Sequence, residues 1–144
     1  MPSLLQKAIE LAVMAHRKSE DPPGEPYIVH PMRVLLALSQ AEDAHQHEHL
    51  RCVAILHDTL ERTKLTTADL KSAGMPPAVV RAVQRLTHDA GTRYADYIIN
   101  LKPDPRARAV KIADLLDNAD LRRVTYRADK PKDRKRVNGA GSRP

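Results

Sequence analysis

A chain of 144 residues is long enough to form one compact domain with its own core, and its single cysteine excludes an intramolecular disulfide. The chain has no Phe or Trp and only four Tyr, so its core must be built from aliphatic side chains, which suits packed helices. The net charge is +6, and no run of roughly 18 apolar residues occurs, which excludes a membrane-spanning helix. We therefore expect a cytoplasmic protein without a signal peptide.

The first half of the chain predicts three helices. Apolar residues recur at helical spacing over residues 3 to 18, which indicates an amphipathic first helix. The stretch "EDPPGEP" then predicts a loop, because proline removes backbone donors and glycine relaxes the backbone. Pro31 suits the first turn of a second helix, "PMRVLLALSQ". We expect the third helix to run from about residue 47 to residue 62.

Four further helices are predicted in the second half. Thr66 and Asp69 have the spacing of a capping pair, which opens the short helix "TTADLKSAG" that Gly74 closes. Pro76 and Pro77 can start the next helix. The segments "TRYADYIINL" and "RARAVKIADLLDNADLRRV" give the last two. No alternating strand pattern is present, so the sequence predicts an all-α fold in one multi-helix domain.

The basic charge is concentrated at the end of the chain. Residues 126 to 144 hold seven basic and two acidic residues, so this segment alone carries +5 and the first 125 residues carry +1. Its Gly, Pro and charged residues cannot bury enough apolar surface to order it. We expect residues 1–125 to form the domain and residues 126–144 to form a flexible basic tail. A nucleic-acid-binding arm is the alternative interpretation of the tail.

Polar residues interrupt two apolar segments. In the third predicted helix, His57 and Glu61 are four residues apart and share one face, with Asp58 at its edge. A second histidine, His30, lies between apolar residues in "EPYIVHP". These side chains are candidates for chemistry.

The last predicted helix carries a polar stripe. Four of its side chains fall within a sector of roughly 80°: Lys111, Asp114, Asn118 and Arg122. On this helix Val110, Ala113 and Leu116 point the other way and are expected to face the core.

Two histidines and two aspartates together suit a divalent ion such as Mn, Fe or Zn and leave coordination positions open for water and substrate. Ordinary roles remain open for each residue. His30 could cap a loop, Asp114 could pair with a basic residue of its own helix, and Asp58 could form a surface ion pair with Arg62.

Four segments, in this order, resemble the hydrolase domain of RelA/SpoT-type alarmone enzymes, within the HD-domain superfamily. They are "GEPYIVHP", "AILHDTLERT", "TTADL" and "VKIADLLDNADL", and the resemblance spans about residues 5 to 123. The segment "LTHDAGTRYADYI" is similar to the small stand-alone bacterial members. The resemblance implies an all-α, metal-dependent phosphohydrolase that uses one divalent ion, commonly Mn²⁺, and acts on a small phosphorylated nucleotide.

The resemblance also implies roles for individual residues. The metal ligands correspond to His30, His57, Asp58 and Asp114. The family's catalytic acidic pair corresponds to Glu61 and Arg62, so only its first member is acidic in this chain. Substrate-binding roles fall on Asn118, Lys111 and Arg122.

Two departures from the family pattern bear on the substrate. Arg62 replaces an acid used in hydrolysing guanosine tetraphosphate; an arginine can clamp a phosphate but cannot accept a proton. Asp21 and Pro22 occupy the positions of basic residues, one of which stacks on guanine. Our hypothesis is a phosphohydrolase of this type. The alternatives are a catalytically impaired domain that senses a nucleotide and a nucleic-acid-binding module that uses the basic tail.

Overall fold

The computed structural model of the chain describes residues 1–20, 24–40 and 47–120, and the predicted all-α fold is confirmed over this part. It contains eight helices, joined by loops that include one isolated bridge between Glu20 and Pro26. The helices are α1 (Leu4–Ala15), α2 (Val29–Leu38), α3 (Glu48–Leu56), α4 (Thr59–Arg62), α5 (Thr67–Ser72), α6 (Pro77–Leu86), α7 (Tyr94–Leu101) and α8 (Pro105–Asn118).

Helix α3 is the centre of the bundle. Its last five residues, from Cys52 to Leu56, are fully buried, as expected for a continuous apolar run enclosed by other helices. It packs against α1, α2, α6 and α8. Any side chain that follows directly on Leu56 therefore enters the interior of the domain.

Local capping fixes the helices that surround this centre. The predicted capping box of α5 is present, because Thr66 accepts from the backbone N–H of Asp69 and Asp69 accepts from that of Thr66. Gly74 follows with a φ of +93°, a conformation that glycine adopts without steric cost. Asp104 caps α8 by accepting from two backbone N–H groups of its first turn, and Pro105 occupies the first helical position.

The prediction of one continuous helix over residues 47 to 62 is wrong. Helix α3 ends at Leu56, and α4 begins at Thr59. His57 Nδ1 lies 2.7 Å from the carbonyl oxygen of Ala54, and the Thr59 hydroxyl donates to the carbonyl oxygen of Leu56 at 2.7 Å. These side chains form hydrogen bonds with carbonyl oxygens that would accept backbone N–H groups if the helix continued. The chain therefore turns at His57 and Asp58.

Helix α8 is turned differently from the prediction. Val110 and Ala113 are buried as expected, but Leu116 is 68% exposed. Asp114 is instead buried beside the core. The side of α8 that faces the core therefore includes Asp114, a member of the polar stripe. Asp114 has partners from other helices, and the spacing of residues within α8 does not reveal them.

Some predictions concern residues outside the described part of the chain. These are the boundary at residue 125, the basic tail at 126–144, the positions of Asp21 and Pro22, and the placement of Arg122. Among the described helices, none is long and apolar enough to cross a membrane.

His16, which follows α1, is a buried histidine. It is only 2% exposed, and its ring lies 4.9 Å from the ring of Tyr27, centroid to centroid. Neither ring nitrogen has a hydrogen-bond partner among the described residues. Burial lowers the pKa of His16 to about 4, and the nearby Asp58 carboxylate opposes this shift only in part. His16 is therefore neutral in the folded protein at neutral pH.

A neutral, buried His16 makes the stability of the fold depend on pH. Between pH 6.5 and about pH 4 the unfolded chain holds a proton on this imidazole that the folded chain does not. Lowering the pH through this window should therefore destabilise the fold, by on the order of 3 kcal/mol. Urea unfolding of the wild type and of His16→Leu, at several pH values and with a chelator present, measures this contribution.

As the pH is lowered, we expect the free energy of unfolding to fall less in His16→Leu than in the wild type. His49→Leu is the control, because it removes a half-buried imidazole of α3 that lies outside this region. If the free energy of unfolding changed with pH in the same way in the wild type and in His16→Leu, a neutral, buried His16 would be contradicted.

Candidate active site

Two histidines and two aspartates converge where α2, α3 and α8 meet. His30 lies in the first turn of α2, His57 and Asp58 lie at the break between α3 and α4, and Asp114 lies in the third turn of α8. One nitrogen or oxygen atom from each of the four lies within 4.8 Å of the others. We call these four residues the His/Asp cluster. Such a group could hold a metal ion, although the role of each residue as a ligand stays a prediction.

The distances within the cluster join imidazole nitrogens to carboxylate oxygens. His30 Nε2 lies 2.8 Å from Asp114 Oδ1 and 3.7 Å from Asp58 Oδ2. His57 Nε2 lies 3.1 Å from Asp58 Oδ2 and 3.6 Å from Asp114 Oδ1. Both Nε2 atoms and one oxygen of each carboxylate therefore face a common centre.

The unpartnered nitrogen of His57 fits a metal ligand. His57 is 2% exposed, and its Nε2 has no hydrogen-bond partner among the described residues. Its Nδ1 is bonded to the carbonyl oxygen of Ala54, which only an N–H on that atom can satisfy. With the proton placed on Nδ1, the Nε2 lone pair is left facing the two carboxylates, which is the arrangement of a metal-ligating imidazole.

His30 is held in the same way from its other side. Its Nδ1 lies 2.6 Å from Asp117 Oδ2, and Arg33 donates to Asp117 Oδ1 at 2.9 Å. An imidazole N–H that donates to a carboxylate fixes the ring and makes the other nitrogen a better electron donor. Asp117 therefore orients His30 from behind the cluster.

Charge within the cluster is balanced between acids and bases. Burial opposes ionisation of Asp58 and Asp114, yet the neighbouring imidazoles hold the pKa of each carboxyl well below its usual range. Burial likewise opposes protonation of the histidines, but Asp58 and Asp114 raise the pKa of His57 well above its ordinary value, and Asp114 and Asp117 raise that of His30. The two carboxylates therefore favour positive charge at the centre of the cluster, and a divalent ion could supply it in place of protons on the histidines.

An open cleft of about 430 Å³ lies over the cluster. It reaches His57, Asp58 and Asp114 at its floor. Its walls carry acidic, basic, amide and aromatic groups: Glu61, Arg62, His88, Tyr94, Lys111 and Asn118. Four predicted catalytic or substrate-binding residues therefore line the same cleft as the His/Asp cluster, while the fifth, Arg122, lies outside the described residues.

Glu61 is held by the loop that follows α6. One of its carboxylate oxygens, Oε1, accepts from the backbone N–H of His88 at 2.8 Å. The His88 side chain is fixed in turn, since its Nε2 lies 2.7 Å from the carbonyl oxygen of Thr92 and its ring stacks on Tyr97 with centroids 4.7 Å apart. Glu61 is therefore anchored through one oxygen at the wall of the cleft.

Two residues of α8 lie next to Asp114. Lys111 Nζ donates to Asp114 Oδ2 at 3.3 Å, and Asn118 Nδ2 donates to Asp114 Oδ1 at 3.2 Å. Burial acts against the Lys111 ammonium, but Asp114 together with Tyr97 and Tyr94 raises the pKa of Lys111, so this residue stays cationic. Tyr97 also lines the cleft, and its hydroxyl donates to the carbonyl oxygen of Leu86 at 2.7 Å.

Arg62 contacts an aromatic ring. Its Cζ lies 4.3 Å from the centroid of the Tyr27 ring. Within the described residues it forms no ion pair with Asp58, so the alternative of a helical Asp58–Arg62 salt bridge is not observed. The Tyr27 hydroxyl instead donates to Asp58 Oδ2 at 2.5 Å.

Reasoning from the sequence missed three residues of this site. Asp117 could have been found from its position three residues beyond Asp114, which places it near the polar stripe. Tyr27 stands three residues before His30 in a segment already singled out. His88 gave no signal, because its contact with Glu61 is made by its backbone N–H.

Comparisons with known proteins point to one family. No family model matches the chain. A guanosine-3′,5′-bis(diphosphate) 3′-pyrophosphohydrolase of Aquifex aeolicus is 34% identical over 122 residues, covering 79% of this chain and 17% of that protein. The GTP pyrophosphokinase rsh of Brucella melitensis is 32% identical over 127 residues, covering 81% and 16%. The chain thus spans about a sixth of the length of these two relatives.

A shorter relative matches over most of its own length. The guanosine-3′,5′-bis(diphosphate) 3′-pyrophosphohydrolase MESH1 of Danio rerio is 34% identical over 131 residues, which cover 85% of this chain and 72% of that protein. A solved structure described as a metazoan ortholog of SpoT that hydrolyses ppGpp superimposes with a TM-score of 0.66 at 26% identity, covering 89% of this chain and 82% of that one. The chain belongs to the family of the guanosine-3′,5′-bis(diphosphate) 3′-pyrophosphohydrolases.

Proposed function

We propose that this protein is a metal-dependent phosphohydrolase that removes the 3′-pyrophosphate group of guanosine-3′,5′-bis(diphosphate) or of a related phosphorylated nucleotide. The observation that carries the proposal is the convergence of His30, His57, Asp58 and Asp114 in one cluster, three members of which line the same cleft as Glu61. The activities named for the relatives from Aquifex aeolicus and Danio rerio support the choice of substrate.

The His/Asp cluster would hold one divalent ion through two imidazole nitrogens and two carboxylate oxygens. This mixed donor set suits Mn²⁺, Fe²⁺, Co²⁺ or Zn²⁺, and Mn²⁺ is our first choice. Such an ion, when bound, lowers the pKa of a coordinated water and polarises a phosphate oxygen. The protein supports it by fixing His30 through Asp117 and His57 through the carbonyl of Ala54.

Glu61 would act as the general base. It lies in the wall of the same cleft, and the His88 N–H anchors its Oε1. Its other oxygen is then positioned to take a proton from a water that attacks the phosphorus at the 3′ position. The bond from that phosphorus to the ribose 3′ oxygen breaks, pyrophosphate departs, and the ribose oxygen takes up one proton.

Residues of α8 would bind the substrate. The Lys111 ammonium, held at the cleft by Asp114, would neutralise charge on the phosphate groups. Asn118, one turn beyond Asp114, would contact the ribose or base. We assign a further phosphate-binding role to Arg122, which follows on the same polar stripe in the sequence.

A substrate screen tests the proposal. Guanosine-3′,5′-bis(diphosphate), guanosine-3′-diphosphate-5′-triphosphate and simple nucleoside phosphates are each incubated with the protein and Mn²⁺, Mg²⁺, Co²⁺ or Zn²⁺. Phosphate and pyrophosphate are measured separately. The proposal predicts pyrophosphate release that a chelator abolishes and added metal restores. Tight nucleotide binding without turnover under every metal would instead support the sensor alternative.

Removing one candidate ligand should remove the metal. His57→Ala deletes an imidazole whose Nε2 faces both carboxylates, and the remaining three groups cannot hold the ion as tightly. We expect most of the metal to be lost and the melting temperature to become insensitive to added Mn²⁺, because an ion stabilises only a fold that binds it. Metal analysis and thermal unfolding measure both effects.

The matched control is His49→Ala, which changes a histidine of α3 outside the cluster. It should retain metal and the Mn²⁺-dependent rise in melting temperature. Equal metal content in His57→Ala and His49→Ala would remove the basis of the site.

Glu61→Gln separates catalysis from metal binding. The amide keeps the size of the side chain and an oxygen that can accept from the His88 N–H, but it cannot take a proton. We expect the variant to retain the metal while kcat falls by about 10²- to 10⁴-fold, the usual effect of losing a general base. Full activity in Glu61→Gln would exclude Glu61 as the base.

A further inference from the structure

Arg62 lines the cleft over the His/Asp cluster, and it contacts the cluster through its backbone rather than through its side chain. It closes the short helix α4, and its backbone N–H donates to the carbonyl oxygen of Asp58 at 3.0 Å. Its side chain is exposed, and within the described residues its guanidinium forms no ion pair. What it does contact is the ring of Tyr27, with Cζ 4.3 Å from the ring centroid.

Tyr27 in turn contacts the cluster directly. It is 3% exposed, and its hydroxyl donates to Asp58 Oδ2 at 2.5 Å. That oxygen is the one that lies 3.1 Å from His57 Nε2 and 3.7 Å from His30 Nε2. The Tyr27 hydroxyl therefore holds the carboxylate oxygen that faces the centre of the cluster.

Backbone hydrogen bonds fix the main chain of Tyr27 but not its ring. Its N–H donates to the carbonyl oxygen of Ser19 at 2.8 Å, in the loop that leads into α2. The ring lies against His16 and His30, with centroids 4.9 Å and 5.9 Å away, and against the Arg62 guanidinium. Of these neighbours, Arg62 adds attraction, because a cation over an aromatic ring is drawn to its negative face.

We propose that Arg62 is a positioning residue that acts through Tyr27: its guanidinium holds the Tyr27 ring so that the hydroxyl fixes Asp58 Oδ2 toward the metal. This proposal rests on the metal site of the proposed function. It gives Arg62 a role other than proton transfer or the clamping of phosphate, and it makes Tyr27 an outer partner of the ligand Asp58.

Whether removal of the Arg62 charge weakens or strengthens metal binding distinguishes this role from simple repulsion between Arg62 and the metal ion. Removing a positive charge close to a cation site should strengthen cation binding, because repulsion is relieved. If Arg62 instead positions Asp58 through Tyr27, Arg62→Met should weaken cation binding. We expect Mn²⁺ affinity to fall by a factor of about 2 to 5, the scale of one exposed cation–π contact.

The test is a double-mutant cycle on Mn²⁺ affinity, measured by calorimetric titration of the full chain after removal of metal. Tyr27→Phe keeps the ring and removes the hydroxyl, and loss of such an outer partner commonly weakens metal binding about 10- to 100-fold. The variant that combines Tyr27→Phe with Arg62→Met should bind Mn²⁺ as Tyr27→Phe alone does, because Arg62 then has no hydroxyl left to position.

Lys64→Met is the matched control, since it removes an exposed positive charge two residues beyond Arg62. It should leave Mn²⁺ affinity unchanged or slightly higher. Arg62→Gln repeats the measurement with a polar side chain, so that a folding defect in one variant does not decide the result. Circular dichroism confirms that each variant is folded.

Unchanged or tighter Mn²⁺ binding in both Arg62 variants would overturn the proposal. So would a double variant in which the separate effects of the Arg62 and Tyr27 substitutions on Mn²⁺ affinity multiply. A rise in KM alone in the Arg62 variants would also overturn it, because that would indicate a phosphate clamp. These results are distinct from failure of the proposed function. If the wild type itself bound no divalent ion, the site as a whole would be wrong, whereas a wild type that binds Mn²⁺ with an unaffected Arg62→Met would refute only the role of Arg62.

Discussion

The fold is organised around the burial of two imidazoles and two carboxylates where α2, α3 and α8 meet. Charged groups removed from water cost several kcal/mol each unless they are paired, so the loss of one of these residues leaves its partners without compensation. His30 and Asp114 reach each other across 84 positions of sequence. The three helices must therefore pack in one register, and α3, whose last five residues are fully buried, sets that register.

The same constraint explains why α3 ends where it does. Adjacent residues of a continuous helix point about 100° apart, so His57 and Asp58 could not both present an atom to one centre without a change in the backbone. The turn between α3 and α4 supplies that change. It is held by hydrogen bonds from His57 and Thr59 to carbonyls of α3, so the residues that form the site also shape the backbone that presents it.

Local signals in the sequence predicted much of this structure. The capping pair Thr66–Asp69 and the prolines that open α6 act within one turn, and the helices they predict are present. The break after Leu56 and the exposure of Leu116 were not predictable in this way. The break depends on side-chain bonds from His57 and Thr59 to nearby carbonyls, which the apolar spacing does not show. The exposure of Leu116 follows from contacts between distant segments, as does the bond from Tyr27 to Asp58, which joins residues 31 positions apart.

The contact between Arg62 and Tyr27 explains how an arginine is tolerated beside a site that attracts cations. A guanidinium aimed into the cluster would compete with the ion for the same carboxylates, whereas one placed over an aromatic ring has its charge met by the negative face of that ring. Its charge can still add to the positive potential that draws an anionic substrate into the cleft, together with Lys111. Glu61, anchored by the backbone N–H of His88, remains the candidate base.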